Sequence, residues 1–244
     1  GDDMAKVTDG VLFIQGMDEF IPDSHMYLIG KPDSNDISII DVGLTGKGSY
    51  KIESIKKHGI SLSSIKRIIM THTHLDHIGC LGEIKKQIPG AELWVHRLEA
   101  EPLENGDDRP VYGMDEFKRM CQMQYGLKAD AFKFSVERKL EDKDILEIGD
   151  MVWEVLHIPG HSMGGIALYN EAAGILIPGD VVYADYAIGR FDLFGADAAA
   201  LRKSLYRLAE LKVETLLPGH NQIVRDLPKD YIRQTAKMWE AYLR

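Results

Sequence analysis

Residues 71–79 read THTHLDHIG and place three of the chain's nine histidines close to one aspartate. His72 and His74 are two positions apart, so on an extended backbone their side chains point to the same side. Asp76 and His77 follow where the chain turns into a helical pattern. Neutral imidazole nitrogens and carboxylate oxygens are ligands for zinc, iron and manganese. The motif therefore predicts a metal site that begins in one loop.

The same motif has a structural interpretation, in which Asp76 is the N-cap residue of the following helix. That interpretation leaves three histidines without a role. A single histidine in such a place is more often a hydrogen-bonded core residue, but the combined HxHxDH spacing is rare by chance. We therefore favour the metal site.

One loop cannot complete a coordination sphere, so the motif requires ligands from elsewhere. Three Pro-Gly turns each follow a predicted strand, and each ends in a residue type that binds metals: His161, Asp180 and His220. Proline and glycine allow a sharp bend, which directs the next side chain back across the edge of a sheet. Each turn alone could be an ordinary one. Together with HxHxDH, the three turns predict a shared site.

Apolar runs bounded by glycine, proline or aspartate predict the elements that must position these residues. Strands are predicted at 11–14, 26–29, 37–42, 65–70, 144–148, 151–156, 165–169, 175–177 and 213–217, and helices at about 47–58, 78–88, 198–211 and 231–243. The HxHxDH motif then lies at a strand-to-helix crossover. This order predicts two β-sheets packed face to face with helices outside.

The charged, methionine-rich segment at about 97–142 fits this pattern less well. We predict that it is a helical insertion within a single domain of residues 1–244. Its methionine and aromatic side chains would form a lid or one wall of an apolar pocket, because methionine adapts to varied ligands. Core packing and a dimer contact are the alternatives.

Charge and composition restrict the partners of the chain. A net charge of -9 argues against nucleic acid, whose binding depends on lysine and arginine. No apolar run approaches a membrane span, and the opening GDDMAKVTDG is polar where a signal peptide is apolar. The two cysteines make no disulfide framework. We expect a cytoplasmic protein that binds a small-molecule substrate and no membrane, and a homodimer is compatible with the sequence.

HxHxDH followed by the three Pro-Gly turns resembles the metallo-β-lactamase superfamily, from the strands before residue 45 to His220. The resemblance implies an α+β fold, a four-layer αββα sandwich with its site at the sheet edges. It also implies two metal ions: one on His72, His74 and His161, one on Asp76, His77 and His220, and Asp180 as a bridge. We expect two divalent ions, zinc first, with iron or manganese as alternatives because the same ligands accept all three.

Two ions that share a water lower its pKa, so that hydroxide is available to attack a carbonyl carbon. Asp76 would bind metal and also orient this nucleophile. Tyr183 lies three residues after Asp180, a spacing similar to the lactonase branch of the family, where it would support the oxyanion or the leaving group. Packing is the alternative for Tyr183. The expected reaction is hydrolysis of a small carboxylic ester, thioester or lactone.

Other branches of the family are less favoured. Asp180 stands where the well-known β-lactamases of this fold carry Cys or Ser, and the acidic composition disfavours phosphodiesterases. Glyoxalase II continues into a helical glutathione-binding domain, whereas only residues 221–244 follow the last predicted ligand. Two alternatives come from other classes. One is a persulfide dioxygenase with a single iron on His72, His161 and Asp180, and the other is a non-catalytic, metal-stabilised binding module.

Overall fold

The computed structural model describes residues 4–244 and contains two β-sheets. The first sheet has seven strands in chain order: β1 (Met4–Thr8), β2 (Val11–Ile14), β3 (Met26–Ile29), β4 (Ile37–Ile40), β5 (Ile65–Ile69), β6 (Glu92–His96) and β7 (Arg138–Leu140). Strands β1 to β4 pair antiparallel, and β4 to β7 pair parallel. Parallel neighbours require long crossovers, so the second half of this sheet is interrupted by helices.

The second sheet has five strands in the order β12-β11-β10-β9-β8. Their bounds are β8 (Ile145–Ile148), β9 (Met151–His157), β10 (Ile166–Asn170), β11 (Ile175–Ile177) and β12 (Thr215–Leu216). Only the β11–β12 pair is parallel. Gly149 and Asp150 join β8 to β9 with φ angles of 58° and 60°, a left-handed turn that matches the twist of a hairpin.

Eight α-helices accompany the sheets in residues 4–244. They are α1 (Gly48–Lys57), α2 (Leu75–Ile78), α3 (Leu81–Gln87), α4 (Arg97–Asn105), α5 (Arg109–Tyr112), α6 (Asp115–Tyr125), α7 (Ala198–Ala209) and α8 (Tyr231–Trp239). Short 3-10 helices lie at Leu62–Ser64, Ala184–Tyr186 and Glu240–Tyr242. None of the helices in the described residues is both long and apolar enough to cross a membrane.

Three apolar cores set the order of the layers. Successive side chains of a strand point to opposite faces. In β3, Met26 therefore packs in a core with α1 and α3, whereas Tyr27 packs in the core between the two sheets. On the far side of the second sheet, Leu176 shares a third core with Leu201 of α7 and Ile232 of α8. The molecule is the four-layer αββα sandwich of the α+β class that the family resemblance implies.

Most of the predicted elements are present, with small shifts at their ends. β2, β3 and β11 have the predicted bounds, and the predicted strand-to-helix crossover at HxHxDH is confirmed, because β5 ends at Ile69 and α2 begins at Leu75. The predicted terminal helix at 231–243 ends at Trp239. Strands β1, β6 and β7 were not predicted. The segment at 97–142 contains α4, α5 and α6, and it returns to the first sheet through β7.

Candidate metal centre

The HxHxDH motif follows β5, where the backbone is extended, so that its side chains alternate between two sides. His72 and His74 point to one side, with their ring centroids 4.8 Å apart. Thr71 points to the other side. Its backbone N–H and its hydroxyl donate to the two carboxylate oxygens of Asp41, at 2.7 and 2.6 Å. The alternation thus separates the candidate ligands from the groups that hold the loop.

Glu99 accepts an equivalent pair of hydrogen bonds from Thr73, two residues further along the loop. The backbone N–H and the hydroxyl of Thr73 both donate to Glu99 Oε1 at 2.8 Å. The other carboxylate oxygen accepts a hydrogen bond from the Ser162 hydroxyl at 3.0 Å, next to His161. Glu99 is fully buried, and burial raises the pKa of its carboxyl group. It connects two candidate ligand loops, and no pattern in the sequence indicated this role.

The three Pro-Gly turns bring His161, Asp180 and His220 to the edge of the sheets beside the motif, as predicted. His161 Nδ1 donates to the carbonyl oxygen of Arg190 at 2.7 Å, which leaves Nε2 free to bind a ligand. Gly219 allows the close approach of the last two turns. A Cβ atom there would lie 2.2 Å from Asp180 Oδ1, so a side chain at this position would displace the carboxylate.

The predicted ligand residues form two groups in which the ligand atoms lie within 4.8 Å of one another: His72, His74 and His161, and Asp76, His77, Asp180 and His220. We call them the histidine cluster and the mixed cluster. Asp180 joins them. Its Oδ2 atom lies 3.8 and 3.6 Å from the Nε2 atoms of His72 and His161, and 3.0 and 3.3 Å from those of His77 and His220.

The unpartnered polar atoms of these clusters fit a bound cation. The Nε2 atoms of His72, His74 and His161 and the Oδ1 atom of Asp180 are buried without a hydrogen-bond partner in the described part of the chain. A buried polar atom without a partner is costly. The three histidine nitrogens lie within 4.8 Å of one another, and nitrogen and carboxylate oxygen lone pairs are the donors that divalent metal ions accept.

The electrostatics of the histidine cluster favour neutral, metal-binding rings. Burial lowers the pKa of His72 well below its usual value, and neighbouring His77 acts in the same direction. Burial also lowers the pKa of His74 to about 3 and lowers that of His161. Neutral imidazole is the form that binds metals, so these rings need no deprotonation at neutral pH.

The mixed cluster is held by ion pairs. Burial opposes a charge on His220, but Asp180 and Asp76 outweigh it and raise the pKa of His220 to about 10. The same competition raises the pKa of His77 well above its usual value. The pKa of Asp180 is well below its usual value because the attraction of His77 and His220 exceeds the cost of burial. Without a cation, these four side chains partly satisfy one another.

Asp41 also lies near ligand atoms, in a third group with His72 and His77. Its carboxylate already accepts two hydrogen bonds from Thr71, and it interacts with His77 Nδ1 at 2.8 Å. We therefore assign it the role of orienting the His77 ring, as carboxylates behind metal-binding histidines commonly do. Asp41 lies in a predicted strand, and no pattern in the sequence indicated this role.

A cavity of about 410 Å³ opens onto both clusters. His74, His161, Asp76, Asp180 and His220 line one side of it. The rest of the lining is mainly apolar, from Ile21, Pro22, Leu75, Val111, Tyr112, Met114, Phe117 and Leu193. Four of these side chains belong to α5, α6 and the turn between them, so the 97–142 segment supplies one wall of the cavity.

Tyr183 lies in the lining of this cavity, next to the candidate ligands. Its ring is 6.3 Å from the His220 ring, between centroids. Burial and the nearby Asp180 carboxylate raise the pKa of the Tyr183 hydroxyl well above its usual value. The hydroxyl therefore stays protonated and can donate a hydrogen bond to developing negative charge. Its catalytic role stays a prediction.

Two further histidines and a buried cysteine have partners outside the two clusters. His157 Nε2 donates to the carbonyl oxygen of Met163 at 2.9 Å, and His25 bonds to Gly16 and Asn221. Cys80 is buried, its thiol donates to a backbone carbonyl at 2.7 Å, and burial raises the pKa of the thiol. None of the three has the contacts of a catalytic group.

Residues 22–220 match the family model described as the metallo-beta-lactamase superfamily, which covers most of the chain and all seven candidate ligands. The chain belongs to this superfamily. Among curated relatives, a probable metallo-hydrolase of Methanocaldococcus jannaschii is 30% identical over 82% of this chain and 88% of its own length. A human protein named acyl-coenzyme A thioesterase is 32% identical over 62% of this chain, which spans 54% of that relative.

Two solved structures show a similar fold. A protein crystallised in a di-iron-bound form has 28% identity and a TM-score of 0.63, with 83% of this chain and 89% of that chain covered. A subclass B3 metallo-beta-lactamase of Bradyrhizobium japonicum has 20% identity and a TM-score of 0.71, covering 98% and 91%. At that low identity, the second likeness concerns the fold alone.

Proposed function

We propose that this superfamily member is a metal-dependent hydrolase that cleaves a small carboxylic ester, thioester or lactone. The observation that carries the proposal is the junction of the two clusters at Asp180, directly beside an apolar cavity. An acyl group fits the apolar wall, and its carbonyl then lies next to the ligand atoms. The thioesterase name of the human relative supports the thioester as one of the three substrate types.

In this proposal His72, His74 and His161 would hold one divalent ion, Asp76, His77 and His220 would hold a second, and Asp180, which lies between the two clusters, would be shared by both. When bound, such a pair supplies hydroxide near neutral pH and polarises a carbonyl oxygen. Zinc is our first choice for both ions, with iron and manganese as alternatives.

The chain's own residues position the reactants. Asp76 is the most accessible carboxylate of the mixed cluster, with 21% of its side chain exposed against 5% for Asp180. Its carboxylate lines the apolar cavity together with the His220 ring, so it lies where it can orient an attacking water from the cavity side. Tyr183 faces the same cavity, and its hydroxyl donates a hydrogen bond to the oxyanion or the leaving group.

The test begins with protein purified without a metal-chelating tag, followed by elemental analysis. A panel of esters, thioesters and lactones with the same acyl chain is then assayed. We expect turnover of at least one class, loss of turnover after chelation, and recovery when the metal is returned. Oxygen uptake with a persulfide, together with a single bound iron and no hydrolysis, would instead support the dioxygenase alternative.

A further inference from the structure

A second cavity, of about 490 Å³, adjoins the apolar one. Asp18, His220 and Asn221 line both cavities, so the two meet at the mixed cluster. His220 is the only candidate ligand that faces the second cavity, among the residues that the structure describes. A substrate whose reacting carbonyl lies at the clusters would therefore extend one part into each cavity.

The lining of the second cavity is mainly polar, although Phe13 and Ile223 also contribute to it. The side-chain amides of Gln15, Asn221 and Gln222 are exposed there, and none is hydrogen-bonded to another residue within 4–244. We call this second space the amide cavity. Each primary amide offers two donors and one acceptor oxygen, which match the N–H and C=O groups of an amide-bearing ligand.

The backbone of Asn221 is held at the junction. Its φ of 67° is in the left-handed region, which asparagine tolerates better than most residues. The His25 ring fixes this conformation, because its Nε2 atom donates to the Asn221 carbonyl oxygen at 2.6 Å. The side chain of Asn221 is thereby directed to the boundary between the two cavities.

The charges around the amide cavity disfavour an anionic ligand. No lysine or arginine lines it in the described part of the chain, whereas Asp18 and Asp23 do. Asp23 is buried and paired with the buried Lys51 at 3.4 Å, so Asp18 supplies the accessible charge. Arg190 lines the apolar cavity, but Asp192 binds its guanidinium through two hydrogen bonds of 2.7 and 2.8 Å.

From this juxtaposition we infer that the substrate is an apolar acyl group joined to a small, uncharged, amide-bearing thiol or alcohol, with the acyl chain in the apolar cavity and the leaving group in the amide cavity. The inference rests on the proposed hydrolase function and names its substrate class. Water adds to the acyl carbon, and the C–S or C–O bond breaks. The leaving sulfur or oxygen takes one proton, and the acyl product is a carboxylic acid.

The experiment compares two thioesters of one acyl chain on the metal-loaded enzyme. Hexanoyl-N-acetylcysteamine carries an uncharged amide in its leaving group, whereas hexanoyl-coenzyme A adds phosphates that would meet the Asp18 carboxylate. We expect kcat/KM to be about tenfold higher for the N-acetylcysteamine thioester, since like charges in contact disfavour binding. Thiol release measures both reactions.

A charge-changing variant gives a second, independent readout. Gln222→Arg places a cation in the amide cavity and is expected to raise kcat/KM for the coenzyme A thioester about threefold, the effect of one exposed charge pair. Gln234→Arg adds the same charge to an exposed position of α8, outside both cavities, and is expected to leave kcat/KM unchanged for both thioesters. Circular dichroism checks that both variants are folded.

The outcomes separate the two proposals. A higher kcat/KM for the coenzyme A thioester in the unmodified enzyme, or equal effects of the two arginine variants, would overturn the substrate inference and leave the hydrolase proposal standing. Turnover of neither thioester, with no ester or lactone hydrolysed either, would overturn both.

Discussion

The two ligand clusters of this protein lie side by side but are stabilised in different ways. In the histidine cluster, three ring nitrogens have no hydrogen-bond partner in the described residues, and burial keeps their pKa values low. In the mixed cluster, His77 contacts Asp180 at 3.0 Å and His220 contacts Asp76 at 2.6 Å. The first cluster needs a cation to satisfy its atoms, whereas the second satisfies itself in part.

This difference has a consequence for how a metal centre can form. A cation entering the histidine cluster displaces no protein contact, and the ring positions are already set by Glu99 and Arg190 behind them. A cation entering the mixed cluster must replace ion pairs that stabilise the protein. Asp180 couples the events, because it neighbours rings of both clusters.

The largest expected effect is the loss of a ligand. His72→Ala and Asp180→Ala should each reduce kcat/KM by more than about a hundredfold. Loss of a group that only hydrogen-bonds to a metal ligand costs less, about 10–100-fold in activity or metal affinity. Both variants should remain folded, because neither side chain belongs to the three apolar cores. Elemental analysis should show a lower metal-to-protein ratio for both variants, with the larger loss for Asp180→Ala, because Asp180 neighbours both clusters.

His58→Ala is the matched control for these variants. His58 lies at the end of α1, and its Nδ1 atom bonds to the Ser54 carbonyl oxygen at 3.0 Å. Its removal should leave turnover and metal content unchanged. Full activity of either ligand variant would remove the metal mechanism.

The next effect concerns the carboxylates behind the ligands. Glu99→Ala should lower the affinity of the histidine cluster for its ion about 10–100-fold. Thr73 and Ser162 then lose the carboxylate that holds the loops of the histidine ligands in place. Asp41→Ala should act mainly on the mixed cluster through His77. Titration against a competing chelator measures each affinity, and Glu99→Gln should restore part of the loss. If Glu99→Ala and Asp41→Ala lowered the affinities for both ions equally, the two clusters would not depend on different supporting carboxylates.

Stepwise removal of metal compares the affinities of the two clusters directly, and the expected difference is smaller. Because each hydrogen bond regained by the mixed cluster contributes about 0.5–1.5 kcal/mol, we expect its ion to be bound about tenfold less tightly. On stepwise chelation, the ring NMR signals of His77 and His220 should change before those of His72, His74 and His161. The reverse order would contradict the account of the two clusters.

The ligands could be predicted from sequence because they combine unusual residue types with local spacing. HxHxDH follows one strand, and each Pro-Gly turn follows another, so strand prediction alone placed them at sheet edges. The groups behind them could not be predicted. Glu99 acts on Thr73 and Ser162, and Asp41 on Thr71 and His77, through contacts that exist only after the strands have paired.

The missed strands have a similar physical cause. β7 has three residues, two of them charged, and shows no apolar alternation. It forms because the edge of β6 offers hydrogen bonds, and because the Arg138 guanidinium lies 4.7 Å from the centre of the Trp94 ring. Such stabilisation comes from tertiary neighbours and leaves no local pattern to detect.

The smallest expected effect tests burial without metal binding. His96 lies outside both clusters, and burial together with the nearby His157 lowers its pKa to about 4. Its Nδ1 atom accepts a hydrogen bond from the Leu98 N–H at 3.1 Å and so caps α4. Protonation at this nitrogen breaks the cap.

Between the unfolded pKa of about 6.5 and the folded value of about 4, the unfolded chain binds more protons at His96. Stability should therefore fall as the pH falls through this window, by at most about 1.4 kcal/mol per pH unit from this one group. His96→Asn keeps a capping side chain and removes the titration. Urea unfolding of the two proteins between pH 4 and 7 should then differ in slope. An identical slope would mean that the acid sensitivity of this fold does not arise at His96.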